Sequence, residues 1–191
     1  MSTLVGRAPV APWMLRTWAN LLLFQAGWFL AVPGAGAGLP WAGVVFALLW
    51  LPLHLAAVAR DGDGNWSREL SLIAMAVGLG GLLDSALVLA GLLSFPEATR
   101  LGAPTTLWML ALWAMFAATL RFSLSWLRGR LVLAALFGLV GGPLAYLGGE
   151  RLDAIVIQGQ AGIVAVATAW GLAAPLLVWL AHRPPCTAED S

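Results

Sequence analysis

Lysine is missing from the sequence altogether, and all ten basic residues are arginines. With a net charge of +1 and no basic run, the chain has no electrostatic footprint for nucleic acid. Its single cysteine, Cys186, sits in a polar tail, which excludes an intrachain disulfide and any CxxC redox or zinc pattern. Histidine is almost as scarce. His54 and His182 cannot make the multi-histidine iron box of a membrane desaturase or hydroxylase, which needs several imidazoles. A bis-histidine haem would have to draw on two helix-end residues, one beside the tail, so neither metal nor cofactor is expected. Charge is scarce too, at 10% of residues against 61% hydrophobic, with a mean hydropathy of +0.88. A soluble globule needs far more charge to cover its surface, so the composition is that of an integral membrane protein.

What the sequence does have is long apolar runs. Six predicted transmembrane helices make an all-α fold: Trp13 to Val32, Leu39 to Ala59, Leu70 to Phe95, Thr105 to Trp126, Leu131 to Gly149 and Gln160 to Ala181. They form one domain over residues 13–181, between a tail at 1–12 without a signal-peptide cleavage pattern and a polar tail at 182–191. PGAGAG (Pro33 to Gly38) reads as a tight connector, and RDGDGNWSRE (Arg60 to Glu69) as a solvated turn. Its D-x-D-x-N spacing hints at calcium, but the pattern lacks the glycine and the distant bidentate glutamate of an EF-hand. Pro52 and Pro143 lack the N–H that a helix interior uses, and should kink the second and fifth spans.

Arginine placement sets the topology. With six spans, Arg7, Arg16, Arg60, Arg68, Arg121, Arg128, Arg130 and Arg183 fall on one side, and Arg100 and Arg151 on the other. By the positive-inside rule both termini are cytoplasmic. A weak internal repeat accompanies this. W-M-L-x-x-W-A occurs at Trp13 to Ala19 and at Trp108 to Ala114, which suggests a 3+3 inverted repeat of the kind many transporters share.

Within the third span stands one carboxylate, Asp84. An ionisable side chain at that depth costs roughly 2.5–3.5 kcal/mol on insertion scales, so it should face protein or water and serve a purpose. Gly80, Gly81 and Gly91 share its helix face and should let a neighbouring helix come close, as should Gly138 and Gly142 in the fifth span. At a rise of about 1.5 Å per residue, Asp84, Tyr146 and Gln25 lie roughly 18–22 Å from the cytoplasmic ends of their spans, whereas Arg121, His54 and Asn20 lie at about 8–11 Å. The first layer suggests that Asp84 accepts hydrogen bonds from Tyr146 or Gln25, or stays protonated. An Asp84–Arg121 salt bridge would have to close about 10 Å between layers, and Arg121 otherwise reads as an interfacial snorkeller. His54 reads as a helix-end residue near headgroups, Asn20 and Gln25 as interhelical hydrogen-bonders, and most tryptophans as belt or packing residues.

NLLLFQAGWF (Asn20 to Phe29), Asp84, LWMLALWAMFAATLRFSLSWL (Leu107 to Leu127) and GLVGGPLAY (Gly138 to Tyr146) together resemble a bacterial inner-membrane family without assigned function. The resemblance covers nearly the whole chain. It implies a multi-pass inner-membrane protein whose genes lie near cyclopropane-type fatty-acid synthases, amine-oxidase-like flavoproteins and photolyases, and it implies no catalytic residue. Three functions follow as expectations. One is an enzyme or enzyme accessory that binds or modifies a lipid or other hydrophobic small molecule, with Asp84 and Tyr146 as polar contacts or a proton-transfer pair. The second is a small proton-coupled transporter, which six spans would make as a homo-oligomer. The third is a scaffold or assembly partner for a membrane enzyme.

Overall fold

A computed structural model of the protein describes residues 12–60 and 65–183. Residues 1–11 and 184–191 of the two tails, with Cys186, and the Asp61–Asp63 part of the calcium-like spacing lie outside the described residues, while Pro12 begins α1 and His182 ends α6 instead of belonging to the tails. Six α-helices follow one another: α1 (Pro12–Gly36), α2 (Ala42–Arg60), α3 (Trp66–Leu89), α4 (Leu107–Ala117), α5 (Leu131–Arg151) and α6 (Gly159–His182). Of these, α2, α3, α5 and α6 are long and apolar enough to cross a membrane. At about 1.5 Å per residue they reach about 28–36 Å, against a hydrocarbon core of about 30 Å. α1 is equally long but carries Arg16, Asn20 and Gln25.

The fourth stretch departs from expectation. Instead of a helix over Thr105 to Trp126, α4 ends at Ala117, and residues 118–130 run as turns with a 3₁₀ segment at Ser125–Leu127. Thr119 helps to end it, since its hydroxyl donates to Phe116 O at 2.6 Å. The following amides then tighten to i→i−3 bonds, Leu120 N to Ala117 O at 3.1 Å and Phe122 N to Thr119 O at 3.0 Å. Irregular backbone in a buried position is tolerated only where other groups satisfy its N–H and C=O. Here Asn20 of α1 does so. Its amide donates to Ala118 O at 3.0 Å, and its carbonyl oxygen accepts from the Ser123 hydroxyl at 2.7 Å.

Other boundaries also shift. α1 runs through Pro33 to Gly36, so the helix absorbs most of the PGAGAG connector. Gly91 is no part of a packing face. It follows the end of α3 with a φ of +68°, the left-handed conformation that glycine takes at helix ends, and it is exposed. Pro52 and Pro143 sit inside α2 and α5, as Pro33 and Pro175 do in α1 and α6. Although α1 and α4 share W-M-L-x-x-W-A, one has 25 residues and the other 11, so the two halves are not built alike.

Two clasps close the ends of the bundle. At one, β1 (Leu93–Ser94) pairs antiparallel with β2 (Val156–Ile157), and Glu150 accepts from Ile157 N at 2.8 Å. At the other, Arg68 and Arg121 donate to the carbonyls of Arg183 and Ala181 near the end of α6, at 2.6 and 2.9 Å. α5 and α6 make the most extensive helix pairing. A Cβ on Gly138 would overlap the Trp170 carbonyl, so that glycine sets how closely the two helices approach.

Candidate functional site

Asp84 is 1% exposed and lies between α3, α4 and α5. The Tyr146 hydroxyl donates to Oδ1 at 2.5 Å, and the Trp113 indole N–H donates to Oδ2 at 2.8 Å. Each carboxylate oxygen thus has its own donor, from two different helices.

The indoles around it form a layered stack. Trp113 of α4 and Trp170 of α6 lie parallel, with ring centroids 4.2 Å apart and planes 13° from parallel. Gly80 of α3 leaves the room that the Trp113 ring occupies, and Gly142 of α5 does the same for Trp170. These glycines serve as slots for indoles rather than as contacts between helix backbones. Gly81 is looser, with Leu110 beside it. Phe116 meets both indoles edge to face, at 6.4 and 5.2 Å. Such pairs contribute about 0.5–1.5 kcal/mol each beyond the area they bury. The indole N–H of Trp170 is enclosed and has no hydrogen-bond partner among the described residues.

A cavity of about 70 Å³ borders this stack, walled by Trp28, Trp108, Trp113, Tyr146 and Trp170 among others. Outside it, between α1 and α5, runs a groove of about 350 Å³. Phe24, Trp28, Phe116, Ala145 and Trp170 belong to both walls, so the groove and the cavity adjoin.

Gln25 is not brought to Asp84. It is exposed on α1 and lines the groove, because its position on the helix turns it away from the bundle. Arg121 does not meet Asp84 either. Its guanidinium lies 3.3 Å from Glu69 Oε2, and Glu69 Oε1 lies 3.0 Å from His54 Nε2. His54, expected near headgroups, is instead 8% exposed, and Glu69 is 0% exposed. Asn20 sits on the α4 break and contacts neither carboxylate.

Sequence reasoning passed over Glu69, Trp113 and Trp170. Glu69 falls at the end of a polar loop, but Glu69, Ile73, Ala76, Gly80, Asp84 and Leu87 follow spacings of three and four residues and form the buried face of α3. That periodicity was the available signal.

A membrane-embedded helical bundle with an acid and an aromatic stack in its interior is the class these features define. Residues 17–176 match the family described as Protein of unknown function (DUF2878), and the chain belongs to that family. No curated protein and no solved structure matches the chain.

Proposed function

We propose that this is a bacterial inner-membrane protein that holds a lipid or another hydrophobic small molecule in the α1–α5 groove, with the Tyr146–Asp84–Trp113 cluster at its inner end. The observation that carries the proposal is that the groove shares five wall residues with the cavity at Tyr146. Small-molecule sites are typically concave and apolar with a few fixed polar groups, and this one is aromatic with a single hydrogen-bonded acid behind it. Proton transfer at Tyr146 and Asp84 is the chemistry available to it, either on the ligand or for a partner enzyme.

Six crossings with cytoplasmic termini complete the proposal, with α4 and the turns after it making the fourth. In support, the β1–β2 clasp gathers the third and fifth loops at one end, and Arg68 and Arg121 join the end of α6 at the other. Eight of ten arginines fall on the latter side under this topology.

The test is native mass spectrometry and lipid extraction on purified wild type, Asp84→Asn and Gly141→Leu. A Cβ at Gly141 meets nothing within 4 Å, yet Gly141 lines the groove, so this variant fills the site without internal overlap. A defined species should accompany the wild type, be altered in Asp84→Asn and be absent from Gly141→Leu. Release of nothing but bulk membrane lipid from all three would overturn the proposal.

A further inference from the structure

Two side-chain amides stand on α1, and the fold uses only one of them. Asn20 is buried and spent, donating to Ala118 O at 3.0 Å and accepting from the Ser123 hydroxyl at 2.7 Å. Gln25, further along the helix, is exposed and makes no hydrogen bond among the described residues. It lies next to the middle of α1 (Pro12–Gly36). With α1 as the first crossing, each end of the helix is roughly 16–20 Å away at about 1.5 Å per residue. A glutamine side chain is far too short to reach headgroups from there.

Hydrocarbon offers an amide nothing to bond, and an unpartnered polar group in it is costly. Whatever rests against Gln25 therefore has to answer its N–H donors and its carbonyl acceptor, or leave them bare. The residue lines the α1–α5 groove of about 350 Å³, together with Gly141 and Gly142 of α5. That volume lies in the range of small-molecule sites, about 300–1,000 Å³. Room is built in, since a Cβ on Gly141 would meet nothing within 4 Å.

Complementarity of charge narrows the occupant. No Asp, Glu, Arg or His lines the groove. A phosphodiester, ammonium or carboxylate head would lie there without a counter-charge, which an apolar setting strongly disfavours. A plain hydrocarbon chain brings no charge but leaves the amide bare. A ketone or ester carbonyl accepts from Nε2–H and gives nothing to Oε1. A hydroxyl does both, accepting from Nε2–H and donating to Oε1, and adds no charge. A second copy of the chain could answer with its own amide, but a helix about 10–12 Å across packs along a crest rather than into a groove. On α1 the crest is marked by Leu15 and Leu22, at 66% and 65% exposure, and neither lines the groove.

We propose that the ligand of the α1–α5 groove is a long-chain alcohol, held through its hydroxyl by the Gln25 amide, with Gln25 as the residue that sets the preference for it. This rests on the reading of that groove as a binding site, and it names the class of molecule bound.

The experiment uses the full chain in nanodiscs of zwitterionic phospholipid, with radiolabelled hexadecanol, heptadecane and ionised palmitate as probes. Heptadecane matches hexadecanol in heavy atoms and lacks only the hydroxyl. Uptake in excess of empty nanodiscs gives each affinity as a mole fraction in the bilayer, and native mass spectrometry counts the copies of the chain. Wild type, Gln25→Leu and Gly141→Leu are compared. Position 25 is exposed, so leucine there removes the amide and leaves internal packing untouched. Wild type should bind hexadecanol at least about tenfold more tightly than heptadecane, equivalent to about 1.4 kcal/mol. Gln25→Leu should lose that preference while heptadecane binding stays as it was, and Gly141→Leu should weaken both. If Gly141→Leu changes neither, the groove is no binding site and the underlying reading falls together with this one. If Gly141→Leu weakens both but wild type binds heptadecane or palmitate as tightly as hexadecanol, or Gln25→Leu keeps the preference, the groove stands and the alcohol is refuted. A wild-type dimer that Gln25→Leu splits, with hexadecanol binding unchanged, would assign the amide to a second copy and also overturn the proposal.

Discussion

Replacing Asp84 with leucine and Tyr146 with phenylalanine, singly and together, measures how strongly the central acid is tied to its donors. Asp84→Leu leaves two enclosed donors, the Tyr146 O–H and the Trp113 N–H, without an acceptor. At about 1–3 kcal/mol for each orphaned group, the loss is roughly 2–6 kcal/mol. Tyr146→Phe orphans only Oδ1, and the double variant orphans only the Trp113 N–H, so each costs about 1–3 kcal/mol. The singles therefore overcount the double. Interhelical hydrogen bonds in membranes couple by about 0.6 kcal/mol on average and by up to about 1.7, because the unfolded chain in a bilayer also finds partners. With Asp84 at 1% exposure and Tyr146 at 4%, this pair belongs near the upper bound, and the expected coupling is about 1.5 kcal/mol. Unfolding in mixed micelles of rising dodecyl sulfate content, followed by circular dichroism and by the fluorescence of the 11 tryptophans, supplies the four free energies. A coupling at or below about 0.6 kcal/mol would show the pair to be no more than an average membrane contact and refute the reasoning.

Arg121→Ala should cost about 3–5 kcal/mol, because it leaves Glu69 charged and enclosed, and adding Glu69→Gln should recover part of the loss in thermal melts. Gly138→Leu should abolish the monodisperse peak in size exclusion while Gly141→Leu retains it, since a Cβ meets the Trp170 carbonyl at the first position and open space at the second. Asn20→Leu should destabilise the protein by about 1–3 kcal/mol and raise amide exchange over residues 118–124, where it strips the turns of their side-chain partner. In a Cys186→Ser background, cysteines placed at Gly129 and Gln158, both exposed, should react with an impermeant maleimide from opposite sides of the membrane. Labelling of both from one side would contradict the six-crossing topology.

Hydropathy made the apolar runs legible, because a bilayer-length segment must be apolar whatever it packs against. Depth counting likewise put Asp84 and Tyr146 in one layer, and their side chains are 2.5 Å apart. Depth says nothing of rotation about a helix axis. Gln25 has the same depth and looks outward, while Trp113, read with most tryptophans as a belt or packing residue, turns inward and reaches the acid. The end of α4 left no local mark, since residues 105–126 contain neither proline nor glycine. What holds it is Asn20, about a hundred residues away. Glu69 was obscured by its neighbours in a polar loop, although its spacing from Asp84 puts both acids on one buried stripe of α3.

The Asn20 clasp on the α4 break bears on the order in which the chain must come together during synthesis. Under the six-crossing proposal, segments enter the bilayer from the N-terminus onward, and α1 is in place when residues 118–124 arrive. A half-helix with loose carbonyls would be a poor lodger in lipid by itself. On that topology its open turn meets a ready-made partner in Asn20 on entry, and the first helix would act toward the fourth as a chaperone built into the same polypeptide.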